Sequence, residues 1–147
     1  MNASLVHGEE QLVGPGAGGG TTRLGDTVRR PHDRAPAAMR LVLQYLEAVG
    51  FDGCPRLRGR DDHGRWILTY IPGDVALPPW PEWVAADATL VSVAKLLRRF
   101  HTAVAGLRPS TAMRWPTTPP AGYEGDVVGH MDVSMANVVC QRARPSR

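Results

Sequence analysis

The chain predicts an α+β fold. Three observations carry this. Two stretches show apolar residues at helical spacing, one short stretch is rich in β-branched and aromatic residues, and glycine clusters separate short alternating segments. The 147 residues suit one domain or a piece of a larger protein, and 43% hydrophobic content suffices for a buried core. The 16 glycines and 13 prolines indicate many turns.

Residues 11–30, "QLVGPGAGGGTTRLGDTVRR", join a short apolar segment to a glycine cluster and then to an alternating stretch through Leu24 and Val28. That order predicts a hairpin with a Gly-rich connection. A first helix is expected over 37–49, where Met39, Val42, Leu43, Leu46 and Val49 recur at intervals of three and four and Gly50 supplies a stop. "RWILTYI", 65–71, reads as a strand. The Pro-rich stretch 72–83 reads as a connector, and Trp80, Trp83 and Trp115 are expected to anchor the Pro-rich loops. A second helix is expected over 88–105, with Asp87 as N-cap, Gly106 as stop, and an apolar stripe of Leu90, Ala94, Leu97, His101 and Val104. "DVVGH" and "NVVC" bracket a polar segment, so that segment is expected to be a loop between two strands.

Several function classes are disfavoured. No run of about 18 apolar residues is present, so a transmembrane helix is not expected. The N-terminus lacks the basic start and apolar stretch of a secretory signal, which makes a cytoplasmic location the expectation. Cys54 and Cys140 lie far apart without paired-ligand spacing, as reduced thiols would. The net charge of +3 is carried by arginines scattered along the chain, with Lys95 the only lysine. No basic run interleaved with aromatics marks a nucleic-acid surface. The same positive balance suits a nucleotide.

The densest constellation is "GHMDVSMANVV", residues 129–139. Asp132 and Asn137, five residues apart, suit phosphoryl transfer. The carboxylate can take a proton from an attacking hydroxyl, and the amide oxygen can hold Mg²⁺ beside nucleotide phosphates. His130 would position the loop. His, Asp and Asn are also common turn residues, so a purely structural loop is the alternative. Gly14, Gly16 and Gly19 fit G-x-G-x-x-G within the expected hairpin, where bare backbone amides can approach phosphates. A flexible turn is the other reading. No Lys-Ser/Thr follows, which excludes a P-loop, and no helix follows, which excludes a dinucleotide-binding turn. Arg29 or Arg30 on the next strand could neutralise phosphates or simply line a solvated edge.

Glycine loop, strand cation, helix, "TYIPG", long helix and "HMDVSMANVV" occur in that order. The chain thereby resembles the aminoglycoside phosphotransferase and choline kinase-like family over roughly residues 8–140. The resemblance implies a protein-kinase-like fold: an N-terminal nucleotide-binding lobe over 1–71, a hinge at 72–80, and an incomplete helical lobe over 81–147. It implies ATP-dependent phosphorylation of a small-molecule hydroxyl with Mg²⁺, using Asp132 as base, Asn137 as metal ligand and Arg29 or Arg30 in place of the phosphate-binding lysine. The backbone of Thr69, Tyr70 and Ile71 would line the adenine pocket, and Gly14 to Gly19 would cover the phosphates.

Two departures shape that expectation. Met39 stands near the place of the acidic partner of the lysine. No acid follows Asp132, where the family has a second metal-binding Asp. The resemblance therefore implies a truncated and weakly active or inactive phosphotransferase, or else a non-catalytic nucleotide-binding remnant.

Overall fold

The structure is a computed structural model that describes residues 8–12, 20–31, 36–117, 119–122, 125 and 128–141. Among the described residues, seven strands and two α-helices follow in chain order: β1 (Glu10–Gln11), β2 (Thr22–Leu24), β3 (Thr27–Arg30), α1 (Pro36–Ala48), β4 (Leu57–Arg60), β5 (Trp66–Thr69), β6 (Asp74–Val75), α2 (Asp87–Val104) and β7 (Val139–Cys140). The α+β expectation is therefore met. Five strands form an antiparallel sheet in the order β1-β2-β3-β5-β4, and β6 pairs with β7 in a second, two-stranded sheet.

β1 and β2 pair across the glycine-rich connection, with Glu10 opposite Arg23 and Gln11 opposite Thr22. The alternating stretch after it is broken by a second turn at Gly25 and Asp26, where Gly25 takes φ +61°. Left-handed backbone at this point suits a two-residue hairpin. β4 was not expected; it pairs with β5 through a bulge between Leu57 and Gly59. By register, Val28, Trp66 and Leu68 share one face, and Thr27, Arg29, Ile67 and Thr69 share the other. Trp66 and Leu68 are buried, so the first face is the covered one.

α1 begins with Pro36 at the first helical position, where a missing N–H costs nothing. It ends in a paired-bond stop. The Phe51 amide donates to the Leu46 carbonyl at 2.9 Å and the Gly50 amide to that of Glu47 at 3.1 Å, with Gly50 at φ +73°. This is a Schellman ending, and its hydrophobic contact is supplied by Leu46 and Phe51, both in the main core. Val104 and Leu107 complete that core, with Leu41, Val42, Tyr45, Leu96 and Phe100 around it. Val49, expected on the stripe, falls beyond the helix end and is exposed.

α2 starts from Ala86, and Asp87 lies in its first turn rather than capping it. The carboxylate still sits favourably at the positive end of the helix. The buried stripe also differs from expectation. Leu96, Phe100, Ala103 and Val104 face the core, whereas Leu90, Ala94 and His101 are exposed. The sequence admits two overlapping apolar arcs, and tertiary contact selects one. Phe100 meets the Phe51 ring edge-on at 6.1 Å.

The expected connector contains β6, and of its tryptophans Trp80 is exposed rather than anchoring. Of the two strands expected around the polar loop, β7 forms after it. Residues 128–130 are not strand, and 126–127 lie outside the described residues. No helix among the described residues is long and apolar enough to cross a membrane.

Candidate functional site

The loop 128–138 is held at both ends. At its start, Val128 packs against the main core and His130 meets the Phe100 ring edge-on at 6.5 Å. At its end, β7 pairs with β6, setting Asp74 opposite Cys140 and Val75 opposite Val139. Gly73 permits this pairing. It takes φ +150°, and a Cβ there would lie 2.7 Å from Val139 Cγ1 and 2.8 Å from the Cys140 carbonyl oxygen. Only glycine fits both the space and the backbone conformation.

Between these anchors the chain makes a 3-10 turn at Met135–Asn137, with Ala136 buried beneath it. The Asn137 amide N–H donates to the Ser134 carbonyl at 2.9 Å, and the Ser134 N–H to the Asp132 carbonyl at 3.2 Å. The Asn137 side chain closes the loop. Its Nδ2 donates to Asp132 Oδ2 at 2.9 Å, to the Asp132 carbonyl at 3.0 Å and to Ser134 Oγ at 3.3 Å. Asp132 and Asn137 are thus brought together as the sequence suggests. The pair is a hydrogen-bonded clasp. A divalent cation shared between them would require the amide oxygen, not its nitrogen, to face the carboxylate.

Asp132 is exposed and flanked by Met131 and Val133, which are 57% and 43% exposed. The loop therefore displays an anion between two apolar side chains, an arrangement suited to contact with a ligand that is both cationic and apolar. His130 packs on Phe100 and makes no hydrogen bond to Asp132 among the described residues.

The other expected site residues lie elsewhere or are already engaged. Gly14, Gly16 and Gly19 lie outside the described residues. Arg29 donates from Nη1 to Thr27 Oγ1 at 2.7 Å, and its Nε lies 3.9 Å from Asp61 Oδ2. Arg30, one residue on, sits on the opposite sheet face, across from Trp66. The Thr69 N–H donates to the Arg56 carbonyl at 2.9 Å and the Tyr70 N–H to that of Asp26 at 2.7 Å. Those two donors serve the sheet, not a ligand. Arg23 stacks over the Tyr70 ring at 3.8 Å. Ile71 follows β5 and is half-buried.

Arg29 belongs to a network that the sequence did not reveal. Arg65 grips both carboxylate oxygens of Glu9, at 2.8 and 2.9 Å, and donates from Nε to Asp61 Oδ2 at 2.7 Å. The Thr22 hydroxyl donates to Glu9 Oε2 at 2.6 Å. These groups tie β1, β2, β3 and the β4–β5 turn together. Hydrogen bonds from Arg65 and Thr22 hold the Glu9 carboxyl down to about 2. Burial pushes the Asp61 carboxyl up, but the hydrogen bonds from Arg65 outweigh it and leave it lowered. Glu9 and Arg65 stand 56 residues apart, so no local spacing announces the pair. The turn itself carried a signal: Asp61 Oδ1 accepts from the His63 and Arg65 amides, a pattern Asp readily forms. Cys54 and Cys140 form no disulfide among the described residues, and burial pushes the Cys54 thiol up.

No family model matches the chain, and no solved structure matches it, so a kinase-like fold is not confirmed by any structural neighbour. Over 136 residues the chain is 32% identical to the trifolitoxin immunity protein of Rhizobium leguminosarum bv. trifolii. That match covers 87% of this chain and 50% of the relative, so the chain spans about half the relative's length. The likeness overturns the resemblance to aminoglycoside phosphotransferases and choline kinases. That relative is named as an immunity protein, not as an ATP-dependent phosphotransferase, and the likeness lends no support to a nucleotide-binding remnant. What the chain is similar to is a protein named for protection against a toxin.

Proposed function

We propose that this chain serves in immunity to a toxin and that it does so by binding. One observation carries the reading: identity of 32% to the trifolitoxin immunity protein, spread over 87% of the chain. The geometry supports a contact surface rather than a reaction centre. Asp132 is exposed, its carboxylate is oriented by Asn137, and Met131 and Val133 expose apolar surface on either side. An ordered anion within an apolar patch contributes selectivity through charge and affinity through burial.

Calorimetric titration of trifolitoxin into the purified chain tests this. Saturable binding, weakened by Met131→Ser and by Asp132→Asn, is the expected result. An absence of binding by the folded chain rejects the reading.

A further inference from the structure

Among the described residues, α2 carries a second apolar seam that is largely uncovered, with Leu97 half-buried within it. Leu90, Ala94, Leu97 and His101 follow one another at intervals of four, three and four, the spacing of a helix–helix seam. The core uses the neighbouring arc, through Leu96, Phe100 and Val104. Leu90 and Val91 are left 50% and 51% exposed, and Ala94 and His101 are exposed beside them. Leu90 and Val91 adjoin on the outer side of this 18-residue helix, so their exposed surfaces form one patch.

Most charges beside the seam are basic, the exception being Asp87 one turn before Leu90. Lys95 and Arg98 lie on the exposed side and make no ion pair among the described residues. Arg99 is turned toward Asp52, with which it forms an ion pair. The helix contains a single acid, Asp87, in its first turn.

We infer that this face of α2 is a docking surface for an amphipathic helix with acidic flanks, supplied by another polypeptide. The seam would take that helix's apolar residues, and Lys95 and Arg98 would take its carboxylates. A second copy of this chain fits poorly, because it would bring the same cations against each other with only Asp87 to offset them. The inference is independent of the toxin reading, which concerns the loop at 128–138.

Fluorescence anisotropy with two labelled synthetic helices tests it on the intact chain. Both carry the same leucine seam; one has glutamate flanks and the other lysine flanks. The acidic helix is expected to bind saturably and more weakly at high salt. The double variant Leu90→Gln, Val91→Gln should weaken it by roughly tenfold or more, since two apolar contacts are lost. An unchanged melting midpoint in that variant excludes a folding defect. Equal binding of the two helices, or no binding, overturns the proposal. So does concentration-dependent dimerisation that the double variant abolishes, because the occupant is then a second copy.

Discussion

The side-chain amide of Asn137 donates to both the carboxylate and the backbone carbonyl of Asp132, at 2.9 and 3.0 Å. One side chain therefore fixes where the acid points and how the loop bends. Exposed hydrogen bonds of this kind contribute little to global stability, about 0.5–1 kcal/mol each. Their effect on a binding loop is larger, because an unordered loop loses entropy when a ligand arrives. Asn137→Ala is expected to leave the melting midpoint within a few degrees of the parent while reducing trifolitoxin affinity roughly tenfold. Calorimetric titration and a thermal melt of the same preparation check both halves.

Gly73 predicts a coupled effect. A methyl group there would press on Val139 and the Cys140 carbonyl, and the backbone at φ +150° disfavours any side chain. Gly73→Ala should destabilise the chain by about 1–3 kcal/mol through strain and displaced pairing of β6 with β7. Because β7 holds the end of the loop proposed to meet the toxin, toxin affinity should fall with it. Chemical denaturation and the titration above measure the two losses.

The Glu9–Arg65 pair makes stability depend on pH. Glu9 has an ordinary carboxyl value near 4.5 when unfolded and about 2 when folded. A lowered folded value means that the contribution is complete above the unfolded value and disappears as pH falls through the folded one. The melting midpoint should therefore decline between pH 5 and pH 2, within the range set by those two values. In Glu9→Gln the decline should be shallower and the neutral-pH stability lower by about 1 kcal/mol, the side chains being partly solvent-screened. Melts across that pH range decide it.

Much of the fold was legible because its signals are local. Helix α1 with its Gly50 stop, strand β5 and the glycine-linked pairing of β1 with β2 all follow from residues close together in the sequence. The clasp of Asp132 by Asn137 was legible as proximity, since a turn brings residues five apart together. Its chemistry was not legible. The same spacing serves a metal-binding loop and a hydrogen-bonded one, and which amide atom faces the acid is not encoded in spacing. The Arg65–Glu9–Asp61 network and the choice of buried arc on α2 were hidden, because both depend on contacts between distant segments. β6 was hidden by its brevity and by the prolines around it.

The core makes the simplest stability prediction. Leu46 is 1% exposed, closes the α1 stop and touches the Phe51 cluster. Leu46→Ala should cost about 2–5 kcal/mol, from lost burial and the cavity left behind. Denaturant titration gives the value. A loss under about 1 kcal/mol would mean that this cluster is not the main core.

The central claim is protection by contact through the Met131–Asp132–Val133 loop. Its most direct test is growth of a trifolitoxin-sensitive bacterium across a range of toxin concentrations, with the chain, the Asp132→Ala variant or an empty vector, at matched protein abundance. The chain should raise the toxin concentration that halves growth by roughly tenfold or more, and the variant should lose most of that gain. Growth identical to the empty vector, or full protection by the variant, would contradict the account.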